Sequence, residues 1–169
     1  TSKTVFPDTE WFHITRLVCE TLIEHTALTK AISIVLTKRA KPYKKTLKSK
    51  GGQVVYKSGC HLHCFCLLIT RTEAVKVREK LVKKLAYLPK KYPELFNNVE
   101  DVVDTSCTPC GKNGFVMTGL KKPGIRHAYH IFWRGGYGPD EDGDFVFFDE
   151  TAFESSETAG LISKMRDLL

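Results

Sequence analysis

The chain has 169 residues, 42% hydrophobic and 27% charged, enough for one globular domain (residues 1–169) with its own core and unlike fibrous or low-complexity classes. Its net charge of +7 favours a polyanionic partner, no apolar run approaches bilayer length, and residues 1–12 lack the form of a secretory signal. Six cysteines, three of them in one short apolar stretch, read as reduced thiols of an intracellular, non-secreted protein with no membrane partner.

In chain order, Trp11, Phe12, Ile14, Leu17, Val18, Leu22 and Ile23 recur at helical spacing, which predicts a helix over 10–25 capped by Asp8 or Thr9. Residues 31–37, short and rich in β-branched side chains, predict a buried strand. Lys38, Arg39, Lys41, Lys44, Lys45, Lys48 and Lys50 follow without an acid, broken by Pro42 and closed by Gly51 and Gly52. This run is expected to be an exposed loop, either simply solvated or an arm that tightens on phosphates. Gln53–Lys57 predicts a strand that pairs with the next stretch or runs toward it.

That next stretch, 58–70, carries the chemistry. After a Ser58-Gly59 turn signal, Cys60, Leu62, Cys64 and Cys66 alternate with His61, His63 and Phe65, so a strand puts the two imidazoles on one face and the thiols on the other. Two imidazoles two residues apart on a rigid element can hold one divalent metal ion. Thr70 and Glu73 form a capping box opening a helix to about Leu88, with Val75, Leu81, Val82, Leu85 and Leu88 as its apolar face. Lys80, Lys83 and Lys84 lie mostly on the rest, as a solvated face or part of a DNA footprint.

Farther on, 96–104 reads as an acidic connection, and Cys107 and Cys110 read as a reduced turn or a zinc knuckle. Residues 115–119 predict a strand, and Pro123 with Gly135-Gly136 brackets 124–134 as a helix carrying Tyr129. An exposed acidic turn over 136–144, a strand over 145–148 and a helix over 151–169 complete the chain. The expected fold is α+β, a central, mostly antiparallel sheet flanked by helices, with His61 and His63 on its exposed face beneath the Tyr129 helix.

His61-Leu62-His63, the basic helix after it, the Tyr129 segment and the aromatic run 144–148 together resemble the HUH nucleases. Within that group the pattern is similar to the amino-terminal nuclease, or origin-binding, domain of parvovirus and densovirus replication proteins. The resemblance implies that His61 and His63 hold Mg²⁺ or Mn²⁺ and that Tyr129 attacks a scissile phosphate, leaving a 5′-phosphotyrosyl link. It also implies single-stranded and duplex origin DNA as partners, a fused C-terminal helicase in a longer parent chain, and work in a host nucleus. Arg134 would be the nearest cation to the tyrosine, and Lys38 to Lys50 with Lys80, Lys83 and Lys84 would bind DNA.

The chain also departs from that pattern. Trp133 stands where a lysine is expected, Thr37 where a metal-binding carboxylate is expected, and Tyr137 is a second candidate nucleophile. Gln53, Glu10, Glu20, Glu24 and Asp101 remain possible third ligands. Two alternatives stay open: a non-catalytic DNA-binding module on the same fold, and a structural zinc-binding domain.

Overall fold

The computed structural model describes residues 6–39, 41–47, 51–65, 67–93, 99–103, 124 and 127–149. Their element order is α1 (Asp8–Thr26), β1 (Ile32–Arg39), β2 (Tyr43–Leu47), β3 (Gln53–Lys57), β4 (Cys60–Phe65), α2 (Arg71–Lys84), α3 (Leu88–Lys91), β5 (Tyr129–Pro139) and β6 (Phe145–Asp149), with a 3-10 turn at Val99–Asp101. A four-stranded sheet in the order β4-β1-β5-β6 is antiparallel at every pairing, and β2 with β3 forms a separate hairpin. This is the expected α+β class. Cys66, Lys48, Lys50, the Cys107–Cys110 pair, the strand over 115–119 and the helix over 151–169 lie outside the described residues.

The sheet is organised by β1, whose alternation buries Ile32, Ile34 and Leu36 on one face. They pack with Cys19 and Leu22 of α1, Val77 of α2 and Tyr137 of β5, so both helices cover that face. Removing three branched aliphatic side chains from water stabilises this layer by about 1.5–3 kcal/mol each. A second cluster, Phe6, Ile14, Leu81, Leu85 and Leu88, ties α1 to α2 and α3.

The capping box of α2 forms as expected: Glu73 N donates to Thr70 Oγ1 at 3.2 Å and Thr70 N donates to Glu73 Oε2 at 2.6 Å. Helix α2 stops at Lys84, and Leu88 opens α3 with Pro89 in its first turn. Ala74, Val77, Leu81 and Leu85 carry the buried face, whereas Val75 is exposed. At α1 the cap is Pro7 without a side-chain bond; Asp8 lies inside the first turn, where its charge complements the helix dipole.

Four stretches differ from the sequence expectation. The basic stretch is not one loop, because Tyr43–Leu47 pairs with Gln53–Lys57 and the turn is closed by Gly51 and Gly52 at φ 62° and 82°. Strand β3 therefore pairs with its sequence neighbour β2 rather than with β4. The expected helix over 124–134 is overturned: Tyr129 begins strand β5, which pairs with β1 from Ile32↔Tyr137 to Arg39↔Tyr129. Its aromatic and β-branched run suits a pleated surface better than a helix. A bulge is the reason the strand pattern was hidden. Leu36 faces Trp133 and Thr37 faces Ile131, leaving Phe132 as an extra residue. Both Phe132 and Trp133 then pack on Phe12 of α1, with ring centroids 5.7 and 5.4 Å away. The expected turn over 136–144 shrinks accordingly to the residues after Pro139, where Asp140 Oδ1 accepts from the backbone N–H groups of Asp142 and Asp144.

Candidate nucleic-acid interface

The face of the sheet away from the helices carries Ser33, Val35, Thr37 and Arg39 of β1. Residues paired across antiparallel strands share a face. The register therefore places Phe65, His63 and His61 of β4 beside Ser33, Val35 and Thr37, and Arg134, Ile131 and Tyr129 of β5 beside Val35, Thr37 and Arg39. Among the described residues no helix covers this face, and no aspartate or glutamate stands on it. As strand parity predicts, Cys60 and Cys64 point the other way, as free thiols. Burial pushes the Cys60 thiol up to about 12, so it is an inert core group.

Strands β4 and β5 flank β1, so the Tyr129 ring reaches across β1 to stack on His61, with centroids 4.0 Å apart and planes at 22°. Gly59 makes room for it: a Cβ there would lie 3.2 Å from the Tyr129 hydroxyl. Beneath this bridge Thr37 is fully buried. The Arg39 guanidinium lies 4.4 Å from the Tyr129 centroid and 4.6 Å from that of Tyr43 on the hairpin. Arg39, His61 and both tyrosines thus form one stacked cluster. His63 sits 6.1 Å from His61, and burial holds its pKa below the ordinary 6.5, which favours a neutral imidazole near neutral pH.

The donor set decides what this cluster can hold. Among the described residues no three His, Cys, Asp or Glu side chains gather for a metal. Glu10, Glu20 and Glu24 are on α1, behind the covered face, where Glu10 is held by Tyr87, Lys91 and Tyr92, Glu20 by Tyr137 and Arg16, and Glu24 by Lys84. Gln53 belongs to the hairpin and Asp101 to the 3-10 turn. Two imidazoles beside a guanidinium do not fit Mg²⁺, which wants hard oxygen ligands and a negative site.

The remaining site residues separate into two sides. Arg134 is exposed on the open face, and Lys41 and Lys44 are exposed on and before the hairpin, with Lys45 also in β2. Lys38 is turned to the covered face, where it donates to Asp8 Oδ1 at 2.6 Å and lies 4.0 Å from the Phe132 ring. Lys84 donates to Glu24 at 2.7 Å, while Lys80 and Lys83 are exposed on α2, behind the sheet. The structure does not bring Lys38, Lys80, Lys83 and Lys84 together with the open face. Tyr137 is also on the covered side, 3% exposed and donating to Glu20 at 3.4 Å; burial and then the Glu20 charge push its hydroxyl up to about 12. Tyr137 therefore lies on the opposite side of the sheet from His61 and His63.

Sequence reasoning missed Tyr43 and Tyr56. On the outward face of the hairpin, Lys44 and Tyr56 are paired, with the ammonium 5.9 Å from the ring, beside exposed Thr46 and Val54. For Tyr43 the signal was a period of two within a run read for its charge alone, and for Tyr56 it was the strand predicted over Gln53–Lys57, whose partner was not identified. No described helix is long and apolar enough to cross a membrane.

The family model for the C962R protein N-terminal AEP (archaeo-eukaryotic primase) domain matches residues 2–132. The viral replication setting implied by the HUH resemblance holds at that coarser level, but the family matched is not the parvovirus nuclease. Comparison with curated proteins and with solved structures gave no match.

Proposed function

The chain belongs to the C962R N-terminal AEP-domain family, a family of viral replication domains, and from that premise we propose that it holds single-stranded DNA on the open face of its sheet during viral genome replication. The observation that carries this reading is the company kept on that face: Arg39, Arg134, His61, His63 and Tyr129, with no described carboxylate among them. Exposed Arg134 supplies a cation for phosphates and the half-buried imidazoles of His61 and His63 supply flat rings for bases, the two components of single-strand binding surfaces. Arg39 and Tyr129 are buried beside them. The basic hairpin beside them, with Lys44 and Tyr56 outward, extends the track. Lysines on α2 add to the net charge of +7 and steer the polyanion without touching it.

AEP domains are primase-like nucleotidyltransferases, and metal-assisted phosphoryl transfer relies on carboxylates to hold its ions. The described open face supplies none, so binding is the role these residues support. Anisotropy of a labelled single strand tests it. Arg134→Glu should weaken binding several-fold, and the double variant Lys80→Glu/Lys83→Glu should change it little at physiological salt. The reverse order would move the interface to α2 and end this reading.

A second reading, strand nicking through Tyr129, is favoured by the stacking of that ring on His61. The phenolic oxygen would bond to phosphorus, the bond from phosphorus to O3′ would break, and the departing oxygen would take a proton, leaving a 5′-phosphotyrosyl adduct. Denaturing gels of labelled origin strands with Mn²⁺ or Mg²⁺ check this: a covalent adduct lost in Tyr129→Phe is the required result.

A further inference from the structure

Arg39 is only 5% exposed, yet its Nε and both terminal nitrogens lack a hydrogen-bond partner among the described residues. The Arg39 guanidinium carbon lies over the rings of Tyr43 and Tyr129, 4.6 and 4.4 Å from their centroids. A cation–π contact offers the guanidinium charge to a ring without supplying an acceptor for its five N–H donors. Two residues back on the same face, the buried Thr37 Oγ1 also lacks a partner among the described residues. A buried donor without an acceptor is costly, and more so when charged, so a cluster of them is a place prepared for an anion.

We propose that Arg39, with Thr37, is the receptor for a phosphate monoester at the end of a DNA strand. The planar fork of a guanidinium matches two oxygens of a phosphoryl group, and here it is buried against two rings. The Thr37 hydroxyl supplies a further donor. A site this enclosed excludes the internal phosphodiesters of a continuous strand and admits a terminal group, whose second negative charge suits a site with no described carboxylate. Tyr43, the half-buried wall, belongs to the hairpin and pairs with Lys57, so the nucleotides after the terminal phosphate pass beside β2 and β3. The proposal rests on the reading of the open face as a DNA surface and names the part of DNA that the site takes.

Anisotropy of short single strands, labelled internally and carrying a 5′-phosphate, a 3′-phosphate or hydroxyls at both ends, tests it. One of the phosphorylated ends should bind about tenfold tighter than the hydroxyl strand, as expected for one charged, bidentate contact. Arg39→Gln should erase that preference and Arg39→Lys should restore only part of it. Should Arg39→Gln fail to fold by circular dichroism, Thr37→Val and Tyr43→Ala provide the same comparison, each reducing the preference. Equal affinity for all three strands overturns the proposal, and if Arg134→Glu still weakens binding, the DNA-surface reading survives it. If no strand binds, both fall. Competition by a nucleoside triphosphate at lower concentration than the phosphorylated strand would overturn the strand-end assignment.

Discussion

Replacing Glu10 with glutamine keeps the shape of the side chain and removes its charge from the point where α1 meets α3. Glu10 is 2% exposed and accepts hydrogen bonds from Tyr87 Oη at 2.5 Å, Lys91 Nζ at 2.5 Å and Tyr92 Oη at 2.7 Å. Burial by itself raises the carboxyl pKa, but the bonds from Lys91, Tyr87 and Tyr92 outweigh it and hold the group below its ordinary 4.5. A glutamine keeps one accepting oxygen and turns an N–H₂ toward donors that already need acceptors. Losing one tyrosine bond to a charged acceptor and orphaning a second hydroxyl should cost about 2–3 kcal/mol. For a chain of this size that lowers Tm by about 4–12 °C, readable by calorimetry or circular dichroism. The pH dependence provides a sharper check. A carboxyl whose pKa is depressed on folding stabilises the fold above its unfolded value, and that contribution is lost as pH falls through the folded value. The gap between wild type and Glu10→Gln should therefore be full at pH 7 and shrink below pH 4.5. An equal gap at both pH values, or no change in Tm at pH 7, would refute the reasoning.

Other expectations address individual contacts. Gly59→Ala puts a Cβ 3.2 Å from the Tyr129 hydroxyl, so the ring must shift from His61, and the single-strand affinity should drop while the melting temperature changes little. Thr70→Ala removes the side-chain half of the capping box and should cost about 1 kcal/mol in urea unfolding without altering DNA binding. Lys38→Gln breaks a largely solvent-facing pair with Asp8 on the covered side, worth about 0–1 kcal/mol, and single-strand affinity should stay within twofold or so. A large loss in that variant would contradict the assignment of faces.

What could be read from the sequence was local. The parity of Cys60 to Phe65 put both histidines on one face and the thiols on the other because a strand has a period of two. The Thr70–Glu73 capping box is likewise complete within four residues. The Tyr129 segment failed because its helix punctuation, Pro123 and the glycine pair, was local, whereas its pairing with β1 is not. The bulge at Phe132 also broke the alternation that would have marked a strand. The first strand of the hairpin was lost inside a run of lysines, where charge masked the alternation of Tyr43 with Lys44, while Gln53–Lys57 was legible as a strand but its partner was not. Arg39 looked like one more solvated cation of that run. Its burial depends on Tyr43 and on Tyr129, ninety residues away along the chain, a juxtaposition that only the folded sheet creates.

The most direct test is to crosslink a single strand containing photoactivatable thymines to the protein and read the joined peptides by mass spectrometry. Binding on the open face predicts crosslinks on the strands and hairpin, at Tyr43, His61, His63 and Arg134. Crosslinks confined to α1 and α2, with those four residues untouched, would contradict it.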